Sequence, residues 1–225
     1  MSIRIKICGL TNLNDARVAA EVGADYLGFI FYDPSPRAVP SVQVVREIVD
    51  TLRNDMGAVA PKMVGVFVNE SVWSISQKMH DARLDLAQLS GDESPQVVAE
   101  MRGRAYKAIQ PERLEYGLQD LADYAPQGPS APHPAILVDA YHSALRGGTG
   151  EQLPAEIAAR LIDAEPRLML AGGLNPDNIF DTVSLLRPYA VDVASGVEAE
   201  KGRKDHDKVR MFIQAARLAA QSITE

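Results

Sequence analysis

Eight short runs rich in β-branched and aromatic residues alternate with amphipathic stretches along the chain, and that alternation restricts the fold more than any other feature. The strand-like runs cover residues 3–8, 26–31, 62–67, 86–89, 106–109, 135–139, 168–171 and 191–194. Helical patterns cover 14–22, 42–52, 72–79, 95–101, 114–124, 155–162, 176–186 and 205–221. In the second of these, Val42, Val45, Ile48, Val49 and Leu52 recur at the period that puts them on one helix face. Asn12 or Asn14, Ser41, Ser71, Ser94 and Asn175 stand where helix N-caps belong.

Strict β/α alternation implies a parallel sheet with right-handed crossovers. Eight such pairs in 225 residues predict an α/β protein, a single-domain (β/α)₈ TIM barrel over residues 1–225. An open doubly wound sheet would normally carry G-x-G-x-x-G after its first strand. Here the first turn reads Gly9-Leu10-Thr11-Asn12. The stretches 125–134 and 54–61 read as loops at the N-terminal face of the barrel, away from any site. At 46% hydrophobic residues the chain can build a large core. Its 23 basic and 30 acidic residues give a formal charge of −7, which argues against a nucleic-acid surface. One cysteine excludes an intrachain disulfide and a multi-cysteine zinc site. No apolar run is long enough to span a bilayer, and the N-terminus lacks a signal-peptide pattern. A cytoplasmic protein with no membrane partner is the expectation.

In a barrel, chemistry belongs where strands end and βα loops begin. Unusual residues concentrate there. The first strand puts Ile3, Ile5 and Ile7 on one face and Arg4, Lys6 and Cys8 on the other. Cys8 at its end should point into the barrel beside Lys6, whose ammonium would favour the thiolate and lower the thiol pKa from about 8.5. A buried structural cysteine is the plainer alternative. Arg37, on the proline-stiffened loop Asp33-Pro34-Ser35-Pro36-Arg37, could clamp a carboxylate or phosphate. Asp139 ends the sixth strand, where a partly desolvated carboxyl can donate a proton; a turn-capping aspartate is the even alternative. His142 is the histidine nearest to it in sequence, and Arg146-Gly147-Gly148-Thr149-Gly150 could act as a lid. Gly172-Gly173 after the seventh strand and Ser195-Gly196 after the eighth would expose backbone N–H groups to a phosphate, with a short helix after the eighth strand adding its N-terminus. No His/Asp/Glu group has metal-ligand spacing, so no metal is expected.

Taken in order, Lys6-Ile7-Cys8-Gly9-Leu10-Thr11, Gly65-Val66-Phe67-Val68-Asn69, Gln88-Leu89-x-Gly91, Leu137-Val138-Asp139, Gly147-Gly148-Thr149-Gly150, Gly172-Gly173-Leu174-Asn175-Pro176 and Val191-Asp192-Val193-Ala194-Ser195-Gly196-Val197-Glu198 resemble the phosphoribosylanthranilate isomerase family, through to Lys204-Asp205-His206. The resemblance implies a cofactor-free (β/α)₈ isomerase of tryptophan biosynthesis, monomeric or homodimeric, acting on a small phosphorylated substrate. It implies an Amadori rearrangement with Cys8 as general base and Asp139 as general acid. Arg37 would hold the anthranilate carboxylate; Gly172, Gly173, Ser195 and Gly196 would hold the phosphate; Asp192 would stand near the substrate.

The chain departs from the family pattern at Ser90, where histidine is usual, in a longer segment over residues 140–146, and in Glu151-Gln152-Leu153-Pro154 after Gly150. Two other readings stay open on sequence. One is a broader sugar isomerase that also takes the histidine-pathway aminoaldose. The other is a non-catalytic phosphosugar-binding barrel, which would need neither Cys8 nor Asp139.

Overall fold

The computed structural model describes residues 3–139 and 154–222. Eight parallel strands follow one another round a closed barrel: β1 (Arg4–Ile7), β2 (Tyr26–Ile30), β3 (Lys62–Phe67), β4 (Leu86–Leu89), β5 (Ala105–Ile109), β6 (Ile136–Asp139), β7 (Leu168–Ala171) and β8 (Ala190–Val193). β1 pairs with both β2 and β8, which closes the ring; Lys6 stands opposite Tyr26 on one side and Asp192 on the other. Helices α1 (Leu13–Glu21), α2 (Val42–Met56), α3 (Val72–Asp81), α4 (Pro95–Glu100), α5 (Leu114–Tyr124), α6 (Ala155–Ala164), α7 (Ile179–Leu186) and α8 (His206–Ser222) follow the strands in turn. The predicted strand and helix positions hold to within a few residues.

Local chemistry sets several boundaries. The Asn12, Ser41 and Ser71 side chains accept hydrogen bonds from Asp15 N, Val44 N and Ser74 N, as N-caps should. Ser94 occupies a cap position without a side-chain bond. Asn175 caps a preceding turn instead: its Oδ1 accepts from Asp177 N and Asn178 N, so α7 starts at Ile179 rather than at residue 176. Helix α2 runs on to Met56 and then a 3₁₀ turn over Gly57–Val59, so most of the 54–61 stretch is helical. The helix packs on the barrel through a buried stripe of Val45, Ile48, Val49 and Leu52. Each such side chain, fully buried, contributes about 1.5–3 kcal/mol.

Strand alternation divides the core in two. Residues pointing outward, among them Ile5, Ile7, Leu27, Phe29 and Phe67, pack against the helices. Residues pointing inward fill the barrel: Tyr26, Val64, Leu86, Tyr106, Leu137 and Met169. Tyr26 closes the N-terminal mouth, where its hydroxyl donates to the Pro132 carbonyl at 3.2 Å, so the 125–134 loop lies at that face as expected. After β8 comes an element the sequence reading did not anticipate. The expected short helix is a single 3₁₀ turn over Ser195–Val197, and it leads into an antiparallel pair, β9 (Glu198–Glu200) and β10 (Arg203–Lys204).

Candidate active site

The C-terminal end of the barrel holds polar groups on its inner face. Lys6 is fully buried, which costs its charge the solvation of water, and it recovers that loss through specific partners. Its Nζ donates to Gln88 Oε1 at 2.9 Å and to Asp192 Oδ1 at 3.1 Å. The Tyr106 hydroxyl donates to the same Gln88 oxygen at 3.2 Å, and Gln88 Nε2 donates to Ser90 Oγ at 3.1 Å. Burial alone would lower the Lys6 pKa, but the Asp192 carboxylate and its neighbours raise it, so the ammonium stays charged.

Cys8 follows directly after β1, two residues beyond Lys6 and on the same inward face, and is 5% exposed. A Cβ built on Gly28 of β2 would come within 2.7 Å of its Sγ and 3.1 Å of Lys6 Cε, so the absence of a side chain at Gly28 makes the space both groups occupy. The thiol is corrected in one respect. Its pKa is raised, because burial outweighs the Lys6 charge and Asp192 adds to the effect. Lys6 does favour the thiolate, but its charge is largely committed to Asp192 at 3.1 Å.

Asp139 ends β6 on the inner face, opposite Ala171 of β7, and its Oδ2 accepts from Gln110 Nε2 at 3.1 Å. Asp139, Asp192, Gln88, Ser90 and Tyr32 line a cavity of about 630 Å³ at this end of the barrel. Cys8 and Arg37 do not line it. Asp192 therefore faces two ways, toward Lys6 and toward the cavity.

Gly172 (φ +97°) and Gly173 (φ +65°) take left-handed conformations that a side chain would strain. The Gly173 carbonyl accepts from Asn178 Nδ2 at 2.9 Å and Asn175 Nδ2 at 3.3 Å, which fixes the turn. Ser195 is exposed at the end of β8. A Cβ on Gly196 would collide with the Leu174 carbonyl oxygen, so the loops after β7 and β8 meet in one cradle of small residues. Arg37 sits at the β1–β2 rim, where its stem passes close to Gly9. It is not a bare anion clamp: its Nε and Nη2 grip Glu198 at 2.7 and 2.8 Å. Nη1 has no partner among the described residues.

His142, the 140–146 segment and Arg146–Gly150 lie outside the described residues.

The sequence reading missed a network on the outer side of this rim. Lys107 Nζ donates to the Leu89 and Gly91 carbonyls at 3.3 and 2.6 Å and to Glu93 Oε2 at 3.1 Å. Glu93 also accepts from Asn69 N at 2.7 Å and Gly91 N at 2.9 Å. It staples the loops after β3 and β4 to strand β5, which accounts for Asn69 and Gly91 in the quoted motifs. A lysine in the middle of the apolar run Ala105-Tyr106-Lys107-Ala108-Ile109 was the available signal.

No helix among the described residues is long and apolar enough to cross a membrane, and no group of three or more potential metal ligands occurs among them.

Comparison with known proteins now adds identity to geometry. The family model for N-(5'-phosphoribosyl)anthranilate (PRA) isomerase matches residues 5–215. An N-(5'-phosphoribosyl)anthranilate isomerase of Trichlorobacter lovleyi is 43% identical over 217 residues, covering 96% of this chain and 99% of that relative. The crystal structure of phosphoribosyl anthranilate isomerase from Thermotoga maritima superposes with a TM-score of 0.79 at 35% identity, over 95% of this chain and 98% of its own. A structure of such an isomerase in complex with reduced 1-(o-carboxyphenylamino)-1-deoxyribulose 5-phosphate gives the same TM-score, 0.79, at 34% identity, over 95% of this chain and 98% of its own. With the barrel, the ordered motifs and both comparisons in agreement over nearly all of its length, the chain belongs to the N-(5'-phosphoribosyl)anthranilate isomerase family.

Proposed function

We propose that this isomerase converts N-(5-phosphoribosyl)anthranilate into 1-(2-carboxyphenylamino)-1-deoxyribulose 5-phosphate, with Asp139 as general acid and Cys8 as general base. The observation that carries the reading is the placement of Cys8 and Asp139 at the C-terminal ends of β1 and β6, both on the inward face of one closed barrel.

Chemistry follows from what the substrate demands. The Asp139 carboxyl gives its proton to the ribose ring oxygen as the C1′–O bond breaks and the anilino nitrogen forms an iminium. That cation acidifies the C2′ proton. Cys8 removes it as a thiolate, giving an enolamine that tautomerises to the ketone. A raised thiol pKa in the ligand-free site fits this order. The iminium would add a positive charge to that of Lys6, and this added charge would favour the thiolate when it is needed. Arg37 would take the aryl carboxylate, and the cradle of Gly172, Gly173, Ser195 and Gly196 the phosphate. Holding the sugar at both ends places acid and base against it. Asp192, paired with Lys6, would line the sugar site as a fixed acceptor.

The test is the loss of phosphoribosylanthranilate fluorescence with purified protein. Cys8→Ala and Asp139→Asn should each lower kcat by roughly 10²–10⁴-fold, the usual contribution of a positioned acid or base. Binding of the reduced product analogue should persist. Near-normal kcat in both variants would refute the assignment. Binding of the analogue by a wild-type protein without turnover would favour the non-catalytic barrel.

A further inference from the structure

The β9–β10 hairpin carries Glu198 and Lys204, which the mechanism above leaves unused, in a buried ion cluster with Arg37. The Glu198 side chain is only 6% exposed. Its two oxygens receive Arg37 Nε and Nη2 in a fork, at 2.7 and 2.8 Å. Oε1 also receives Lys204 Nζ at 3.3 Å and, more weakly, Gly202 N at 3.4 Å. Lys204 Nζ donates in turn to the Ala194 carbonyl at 2.8 Å, one residue before Ser195. The Thr11 hydroxyl donates to the Gly202 carbonyl at 2.8 Å and fastens the hairpin to the loop after β1. One carboxylate thus joins the loops after β2 and β8, the two ends of the proposed substrate.

We propose that Glu198 is a positioning residue for the isomerisation: it fixes the Arg37 guanidinium plane so that Nη1 stays available to the substrate's aryl carboxylate. Lys204 anchors that lock to the backbone that leads into the phosphate cradle. The inference rests on the proposed function and deepens it.

Three physical points carry it. Arginine has rotamer entropy to lose, and a planar bidentate partner removes that freedom before substrate arrives. The fork occupies one edge of the guanidinium and leaves Nη1 without a partner among the described residues. Two cations, Arg37 and Lys204, share one carboxylate, so the cluster holds one excess positive charge that an incoming carboxylate would meet. Burial raises the Glu198 pKa, but Arg37 and Lys204 lower it further, so the carboxylate stays ionised.

The opposite electrostatic expectation makes the test decisive. Glu198→Gln adds one net positive charge. If charge alone governed affinity, KM would fall, and high salt would erase the change. If orientation governs, KM rises, because an amide NH₂ facing Nη2 sets donor against donor and breaks the fork.

The experiment measures KM and kcat for phosphoribosylanthranilate in wild type, Glu198→Gln, Arg37→Ala and the double variant. The expected result is a KM about tenfold higher in Glu198→Gln, with kcat within about twofold of wild type. In the Arg37→Ala background the same change should add nothing, since Glu198 acts through Arg37. A KM that is unchanged or lower, or an effect that persists without Arg37, overturns the proposal. If Glu198→Gln does not fold, Glu198→Asp retains the charge and withdraws the fork by one methylene; it should raise KM similarly, and an unchanged KM is equally fatal. Wild-type protein without turnover sinks the functional reading and this inference with it, whereas wild-type turnover with a flat KM sinks the inference alone.

Discussion

Gly28 on β2 faces the Cys8 sulfur just after β1 with no room between them: a methyl group at Gly28 would lie 2.7 Å from Sγ. Gly28→Ala must displace the thiol, the Lys6 stem or both. If Cys8 is the base, a shift of about 1 Å should cost roughly 10²-fold in kcat. Affinity for the reduced product analogue should change far less. Steady-state kinetics beside calorimetric binding would check this, and an unaltered kcat would argue that Cys8 takes no part in the chemistry.

Burial pushes the Cys8 thiol above its ordinary value, with Asp192 adding to the shift against the opposing Lys6 charge. The thiolate fraction of the free enzyme therefore grows only as pH rises past about 8.5. Because kcat/KM reports free-enzyme groups, it should climb on the alkaline side of neutrality if Cys8 is the base. A pH–rate profile already flat from pH 6 to 9 would contradict a thiol base.

Asp15 of α1 should anchor the hairpin to the barrel. Its Oδ2 accepts from Lys204 N at 2.9 Å and its Oδ1 meets His206 Nε2 at 2.8 Å. Burial pulls its pKa up, but these bonds, with Asn12, lower it on balance. The folded carboxyl is then more acidic than the unfolded one. Its stabilisation is complete above the unfolded value of about 3.9 and disappears as pH falls through the folded value. Asp15→Ala should cost about 2–3 kcal/mol at pH 7 by urea denaturation, and the difference from wild type should shrink below pH 4.

Lys6→Met should be among the most damaging single changes in the barrel. It leaves the Asp192 carboxylate without its cation in a buried site, at a cost of about 3–5 kcal/mol. Adding Asp192→Asn to Lys6→Met should recover part of that loss, because the unpaired charge goes with it. Additive losses in the denaturation midpoints would mean that the pair does not act as a unit.

The barrel was legible because one physical signal, the switch between a period of two and a period of 3.6, repeats along the chain. The inward placement of Cys8 and Asp139 followed from strand alternation. What escaped depends on contacts distant in sequence. Glu198 and Arg37 are 161 positions apart, and no local pattern pairs them. The thiol runs against the sequence expectation because burial outweighs the Lys6 charge, and Asp192, 186 positions from Lys6, adds to the shift. The start of α7 slipped by three residues because Asn175 closes an Asx turn with the same residue type that caps helices.

The seam between the first and last strands has a consequence for how the molecule is born. The bonds from Lys6 to Asp192, Thr11 to Gly202 and Asp15 to Lys204 span 186, 191 and 189 positions. Cys8 and Lys6 come early in the sequence, yet Asp192 and Lys204, which also act on the thiol, come within the last fifth of these 225 residues. Closure of such distant ends pays loop entropy before any contact rewards it. A product that stops short of β8 therefore lacks the strand that closes the ring.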